Sequence, residues 1–223
     1  PGIIVVPASL KYQWVKEVSK FSDLVAHSID TPSKMKKKFD AQFEDCDLMI
    51  CNYETLKNKT VSEKLLDMNL EFMIIDEVQC LGNYKSGRSK AIYQFNDLPY
   101  RYGMTATPIT RDPSNLFGIF NFIDTELFKT HGKFATNYLV YRSYGQVSGV
   151  KNVDHLKAKI APYIFMKSEE EIASQLPEII ITPMCCQMDS KTAKIHDKIM
   201  EDLNTARNAA EAIEKKITNP KLL

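Results

Sequence analysis

The sequence has no excess of charge of either sign, because its 29 Lys and Arg residues nearly balance its 28 Asp and Glu residues. A global basic field that would by itself indicate a nucleic-acid partner is excluded, so any such contact must come from local placement of charge. The five cysteines include no C-x-x-C pair and no Cys/His set with the spacing of zinc ligands. This cysteine usage favours a reduced, intracellular protein without structural zinc.

Long apolar runs are also missing from the sequence. No stretch approaches the roughly 18 to 20 apolar residues of a membrane span, and the amino terminus lacks the features of a signal peptide. We therefore expect no membrane partner. The length of 223 residues fits one sizeable domain, or one domain with an appendage. A core-like apolar run begins at residue 3, and we therefore expect an excised fragment with further chain upstream.

Four short apolar runs in the first half of the chain are each followed by polar or turn-forming residues. They cover residues 3–6, 48–51, 72–75 and 100–104, and residues 24–29 are a weaker candidate strand. Helix-like segments separate the runs, a pattern typical of successive βαβ units and a parallel sheet. The sequence thus predicts an α/β fold in which the carboxyl ends of the strands share one edge of the sheet.

Helical patterns fill the rest of the chain. Residues 10–21 form an amphipathic helix in which Trp14 lies on the apolar face, where core packing is the first interpretation. Aromatic residues between positions 116 and 141 are typical of a packed helical core. Residues 189–217 contain no Gly or Pro and predict one long amphipathic helix whose apolar face seeks a partner.

The sequence divides at two places where its pattern changes. Residues 1–110 carry the strand and helix alternation, and residues 111–188 form a helical extension with a return segment. Residues 189–223 hold the long carboxyl-terminal helix. Residues 34–38 are a basic cluster, with a solvated face as the first interpretation and phosphate contact as the alternative.

Asp76 and Glu77 directly follow the third apolar run, in the sequence Asp76-Glu77-Val78-Gln79. Ligands bind outside the carboxyl ends of parallel strands, and this is where a nucleotide motor keeps the carboxylates for Mg²⁺ and water. A solvated acidic turn is the alternative for a motif this short. The three other strand ends decide between these interpretations.

The clusters at the four strand ends resemble, in order and character, the first motor lobe of helicase superfamily two, and most closely the Swi/Snf-type DNA-dependent ATPases. The resemblance covers nearly the whole chain, and its motifs are specific as an ordered set. They are Ile4-Val5-Val6-Pro7-Ala8-Ser9-Leu10 with Gln13-Trp14 and Glu17 (motif Ia), Asn52-Tyr53-Glu54-Thr55-Leu56 (Ib), Ile74-Ile75-Asp76-Glu77-Val78-Gln79 (II), Gly103-Met104-Thr105-Ala106-Thr107-Pro108-Ile109 (III), Leu116-Phe117 to Phe122, and Leu176-Pro177-Glu178.

The resemblance implies a three-layer RecA-like lobe and roles for the residues of its motifs. Asp76 would hold Mg²⁺ through water, Glu77 would orient the attacking water, and both would bind ATP together with Gln79. Gln79, Thr105 and Thr107 would couple nucleotide state to movement on double-stranded DNA. The residues that would contact nucleic acid are Pro7, Ser9, Asn52, Tyr53 and Thr105. A helix cap for Ser9 and a strand-ending turn for Asn52 are the structural alternatives.

The sequence also departs from the family's pattern. A phosphate-binding loop, G-x-x-x-x-G-K-[ST], is missing, since the only Gly-Lys pair, Gly132-Lys133, is followed by Phe134. Gln79 replaces the family's common His, Ala106 replaces a frequent Gly, and the second lobe with its arginine finger is missing too. We therefore expect an ATPase in the intact protein and an inactive fragment here. The alternatives are an inert nucleic-acid-binding or protein-interaction module, and the motor part of a restriction or repair helicase.

Overall fold

The computed structural model describes residues 1–32, 40–109, 112–142, 145–167, 171, 182 and 188–217, with side chains of the last helix as far as residue 208. Within these residues the chain forms two compact units, Pro1–Phe165 and Met166–Leu223. The basic cluster at residues 34–38 and the motif residues 176–178 lie outside the described residues. The predicted divisions at residues 110 and 188 stay predictions.

The first unit is built on a five-stranded parallel sheet whose strand order is β2-β3-β1-β4-β5. The strands closely match the four predicted apolar runs, and the weaker candidate at residues 24–29 forms only a short edge strand. The strands are β1 (Gly2–Val6), β2 (Ala26–Ser28), β3 (Leu48–Asn52), β4 (Phe72–Asp76) and β5 (Tyr100–Met104).

Helices cover both faces of this sheet, and the alternation of side chains along the strands explains why. Ile4 and Val6 of β1 pack with helix α1 (Lys11–Phe21) on one face. Ile3 and Val5 point to the opposite face. That face is covered by α2 (Tyr53–Leu56), α3 (Lys59–Leu66), α4 (Gly87–Tyr93) and α5 (Asn115–Ile123). The predicted three-layer α/β architecture is confirmed.

Helix α5 leads into an appendage with a separate hydrophobic core. Its further elements are α6 (Thr125–Phe128), α7 (His131–Tyr138), β6 (Leu139–Tyr141), β7 (Val147–Val150) and α8 (Val153–Ile160). Aromatic side chains form the centre of this core, as the sequence predicts, among them Phe117, Phe128 and Phe134. The antiparallel β6–β7 hairpin was not predicted, because residues 144–149 resemble a loop and the strands are short.

Two close contacts join the appendage to the sheet. Arg101 of β5 donates hydrogen bonds to the carbonyl oxygens of Phe122 at 2.7 Å and Ile123 at 3.0 Å, at the carboxyl end of α5. On the same helix, Gly118 lies so close to the 3₁₀ helix Val78–Leu81 that an added Cβ would be 2.0 Å from the Leu81 carbonyl oxygen. The segment that follows Glu77 is therefore packed directly against the appendage.

The helix-cap interpretation of Ser9 is wrong, and two other residues of α1 have an exposure that an amphipathic helix pattern does not predict. Ser9 does not cap α1: it lies within a 3₁₀ helix, Ala8–Leu10, and Leu10 takes the cap position without a side-chain hydrogen bond. Phe21, the last residue of α1, is 75% exposed. Lys11 is only 4% exposed, since its ammonium donates to the Ile29 carbonyl oxygen at 3.3 Å and pairs with Asp30.

The second unit contains one long helix, α9 (Ser190–Ile217), which confirms the helix predicted at residues 189–217. Asp189 precedes it and accepts hydrogen bonds from the backbone N–H groups of Lys191 and Thr192, both at 3.0 Å. Three apolar side chains of the predicted stripe, Ile195, Ile199 and Leu203, are each more than half exposed. No helix among the described residues has both the length and the apolar character needed to cross a membrane.

Candidate functional site

The carboxyl ends of the four longer strands lie at one edge of the sheet, as predicted. Val6 is opposite Asn52 in the pairing of β1 with β3, and Asp76 is opposite Met104 in the pairing of β4 with β5. β1 and β4 pair in parallel as well, so all four chain segments leave the sheet in the same direction. The residues that follow the strands are therefore neighbours along this edge, including Pro7, Glu77 and Thr105.

The Asp76 carboxylate is held by one hydrogen-bond donor on each oxygen. Its Oδ1 accepts from the backbone N–H of Glu77 at 3.0 Å, and its Oδ2 accepts from the indole Nε1–H of Trp14 at 3.2 Å. Trp14 also packs beside the apolar residues of β1 and β3, so the core-packing interpretation holds for its ring. The polar contact of its indole was not predicted.

Glu77 has a backbone conformation that non-glycine residues rarely adopt. Its φ of 55° and ψ of 49° are in the left-handed region, which costs about 1–3 kcal/mol and persists only where surrounding contacts enforce it. The side-chain amide of Gln79 donates a short hydrogen bond to the Glu77 carboxylate. The other atom of that amide, Oε1, is buried and has no hydrogen-bond partner among the described residues. Gln79 therefore orients the Glu77 carboxylate, and one of its own polar atoms is left for a further donor.

Tyr53 holds the backbone of the same turn through its hydroxyl group. Its side chain is only 6% exposed, and its hydroxyl donates a short hydrogen bond to the Asp76 carbonyl oxygen and lies 3.2 Å from that of Glu77. Burial, the nearby Cys80 and the charge of Asp76 raise the pKa of Tyr53, which keeps this hydroxyl protonated as a donor. This buried hydrogen bonding favours a structural role for the Tyr53 side chain, and the predicted nucleic-acid contact of Tyr53 stays a prediction.

Asn52 begins helix α2, which favours its structural interpretation. Its Oδ1 accepts hydrogen bonds from the backbone N–H groups of Glu54 and Thr55, both at 2.9 Å. Glu54 in turn binds Arg88 at 3.1 Å and Lys57 at 2.6 Å, and these cations lower the pKa of its carboxyl. Asn52 is a helix cap in this structure, and the side-chain amide nitrogen is the part left for another contact.

The remaining predicted residues lie on the edge without joining the carboxylates. The Thr105 hydroxyl accepts a hydrogen bond from the backbone N–H of Thr107 at 3.0 Å, which shapes the turn after β5. Among the described residues, no hydrogen bond links Pro7, Ser9, Thr105 or Thr107 to Asp76 or Glu77. One packing contact connects the strand before Thr105 to the turn after Glu77: a Cβ on Gly103 of β5 would lie 2.8 Å from the Val78 side chain.

Asp76 and Glu77 suit a hydrated divalent cation. Each carboxylate oxygen can accept two hydrogen bonds or ligand contacts, and each oxygen of Asp76 uses one here. Within the described ranges, no group of three or more His, Cys, Asp or Glu side chains is placed to hold a metal ion. A cation that keeps several waters and takes few protein ligands, as Mg²⁺ does, fits this arrangement better than a caged transition metal.

The SNF2-related domain family matches residues 1–223, the whole chain. The chain belongs to this family. The resemblance inferred from the ordered motifs is thereby confirmed, including its assignment to the Swi/Snf-type group.

Two curated proteins are similar in sequence to this SNF2-related domain. Human TATA-binding protein-associated factor 172 is 25% identical over 88% of the chain, and the chromatin-remodeling ATPase INO80 of Saccharomyces cerevisiae is 25% identical over 95%. The chain spans only 11% and 15% of the lengths of these two proteins. Each relative therefore contains much sequence that has no counterpart among these 223 residues.

A solved structure confirms the fold. The SWI2/SNF2 ATPase core of Sulfolobus solfataricus, determined in complex with double-stranded DNA, matches with a TM-score of 0.64 and 24% identity. The match covers 94% of this chain and 43% of that one. The first unit of the SNF2-related domain is thus a RecA-like lobe.

Trp14 is the residue of the site that sequence reasoning missed. Its position on the apolar stripe of α1 predicts packing alone, and it is also where the indole N–H reaches Asp76. The sequence gives only a general indication of a polar contact, namely that the N–H of a buried tryptophan usually finds a hydrogen-bond partner. Identifying Asp76 as that partner requires knowing that α1 packs beside β4.

Proposed function

We propose that this SNF2-related domain is the first motor lobe of an ATP-dependent translocase on double-stranded DNA. The observation that carries the proposal is the placement of Asp76 and Glu77. The two carboxylates follow a central strand, at the edge where α/β proteins bind ligands, in a turn held by donors from two other segments, Trp14 and Tyr53, and by the adjacent Gln79. A solvated acidic turn would not need a buried tyrosine, an indole and an amide directed at it.

In the proposed mechanism the two carboxylates have different tasks. Asp76 would hold a hydrated cation through the acceptor positions that Trp14 and Glu77 leave open. Glu77, held by the Gln79 amide, accepts a hydrogen bond from the attacking water and orients it. Mg²⁺, when bound, neutralises charge on the phosphates of ATP. Such positioning and charge neutralisation account for most of the catalysis in phosphoryl transfer.

The proposed DNA contacts lie along the same edge of the sheet. The Ser9 hydroxyl is exposed at the start of the α1 segment, and Thr105 follows β5. With Pro7 and the free amide nitrogen of Asn52, these groups can contact phosphates, which gives affinity and register without reading sequence. The solved Sulfolobus core in complex with double-stranded DNA supports this choice of partner.

Coupling between the nucleotide and the DNA is proposed to run through Gln79, Thr105 and Thr107. The contact between Gly103 and Val78 supports this, because it joins the strand before Thr105 to the turn after Glu77. The unpartnered Oε1 of Gln79 is available to a donor from a second motor lobe. That lobe and an intracellular location stay predictions.

A steady-state ATPase assay of the full-length protein tests the proposal. We expect turnover with Mg²⁺ that rises several-fold or more when duplex DNA is added. The 223-residue chain should show no turnover, because its sequence has no G-x-x-x-x-G-K-[ST] loop. Absent or DNA-independent turnover in the full-length protein would overturn the proposal and favour an inert binding module. A strand-displacement assay distinguishes translocation from helicase activity.

A further inference from the structure

Trp14 is the only tryptophan of the chain, and its two ends have different surroundings. The ring packs beside Ile4, Val6 and their neighbours on one face of the sheet. The indole N–H leaves this apolar cluster and donates to Oδ2 of Asp76 at 3.2 Å. A residue on the helix after β1 therefore touches the carboxylate at the end of β4.

We propose that Trp14 is a positioning residue that fixes the Asp76 carboxylate for a hydrated divalent cation. This inference rests on the proposed function, because the cation belongs to the ATPase site. The Glu77 backbone N–H holds Oδ1 at 3.0 Å, so the indole supplies the second restraint on the same carboxylate. With both oxygens held, rotation about the last side-chain torsion of Asp76, which is otherwise broad, is blocked.

The chemistry of the indole suits this task. An indole N–H is a donor only, so it cannot turn into an acceptor that competes with the carboxylate for metal-bound water. The ring packs among apolar residues, so its direction is set by the core rather than by solvent. A hydrogen bond to a charged group stabilises more than one between neutral groups. Without this donor the carboxylate must be ordered when the cation binds, so its loss should weaken cation binding about tenfold while the fold is kept.

The hydrogen bond can be tested without any enzymatic activity. A ¹H–¹⁵N spectrum of the ¹⁵N-labelled 223-residue chain should contain a single indole cross-peak, because there is one tryptophan. In Asp76→Ala this peak should move upfield in the proton dimension and its proton should exchange faster with solvent. Glu54→Ala, which removes an exposed carboxylate from another strand end, is the matched control and should leave the peak in place. An indole peak that is the same in wild type and in Asp76→Ala would overturn the inference.

The effect on the cation is measured in the full-length protein. At saturating ATP and DNA, Trp14→Phe should raise the Mg²⁺ concentration for half-maximal turnover about tenfold. Tyr12→Phe on the same helix, where Tyr12 is 63% exposed, is the control and should not change it. An active Trp14→Phe protein with the wild-type Mg²⁺ dependence would also overturn the inference. Absent turnover in the wild type would instead overturn the proposed function, and the indole experiment would still decide whether Trp14 holds Asp76.

Discussion

The sheet core and the appendage bury their apolar residues in different ways. On the sheet, aliphatic residues such as Ile3, Met49 and Ile75 alternate along parallel strands. In the appendage, edge-to-face aromatic contacts predominate, such as Phe128 with Phe134 at 4.8 Å between ring centroids. Parallel strands deliver whatever follows them to one edge, so polar residues from distant parts of the sequence meet there.

The two regions can also be compared through one residue in each that has a positive φ. Glu77 in the sheet unit has the left-handed conformation and is enclosed by Tyr53 and Gln79. Lys129 in the appendage also has a positive φ, at 61°, but among the described residues its one ion pair is a 3.9 Å contact with Glu126. A strained residue held by several buried contacts indicates a site, whereas one at an exposed helix end indicates a turn. Four predictions test this contrast.

The largest effect is expected for Glu77→Gln in the full-length protein. The substitution keeps the size of the side chain and removes the carboxylate that orients water, so turnover should fall by several orders of magnitude. Folding and DNA binding should remain nearly unchanged, as judged by circular dichroism and by a DNA-binding titration. Glu54→Gln is the control, because it changes an exposed carboxylate in α2, after strand β3. It should keep near-normal turnover. Near-normal turnover of Glu77→Gln would return Glu77 to the solvated-turn interpretation.

The largest effect on stability is expected for Gly118→Ala. Its new Cβ would lie 2.0 Å from a backbone oxygen of Leu81, so α5 must move away and stability should fall by about 3 kcal/mol. Gly132→Ala on α7 is the matched control, since the nearest atom is 4.0 Å away and the change should stabilise by about 0.5–1 kcal/mol. Urea denaturation of the 223-residue chain measures both. Similar stabilities of the two variants would contradict the close packing of α5 against Val78–Leu81.

Tyr53→Phe should have an intermediate effect. It removes the hydroxyl that binds the carbonyl oxygens of Asp76 and Glu77 and keeps the buried ring, so stability should fall by about 1 kcal/mol. Turnover of the full-length protein should fall about tenfold, because Glu77 is less firmly held. DNA affinity measured without nucleotide should not change. A selective loss of DNA affinity would instead return Tyr53 to the predicted contact with nucleic acid.

The smallest effects distinguish capping from DNA contact. Asn52→Ala should cost about 1 kcal/mol of stability, because two backbone N–H groups of α2 lose their acceptor. Ser9→Ala should cost almost none, since Ser9 caps no helix and is exposed, and should weaken binding of duplex DNA by a few-fold. Thermal denaturation and a DNA titration measure the two quantities. If Ser9→Ala changed stability and left DNA affinity unaltered, Ser9 would have a structural role only.

Much of the fold could be predicted because its signals are local. Four apolar runs separated by helical segments fixed the strands to within a residue or two, and the absence of Gly and Pro between positions 189 and 217 predicted the last helix. Errors occurred where the local signal was weak. Ser9 has the residue type of a helix cap, but a 3₁₀ turn intervenes before α1 begins, and sequence alone does not distinguish the two.

The candidate site could also be predicted in part from the sequence. The sequence alone determined where the strands end and which carboxylates follow them. In a parallel sheet the residues after the strands lie at one edge, and this does not depend on the conformation of the loops. Only the tertiary structure decided how those carboxylates are held. The Trp14 indole, the Tyr53 hydroxyl and the left-handed turn at Glu77 depend on distances between segments up to 62 positions apart, as for Trp14 and Asp76. Such distances are set by the packing of helices on the sheet, which the order of residues does not encode locally.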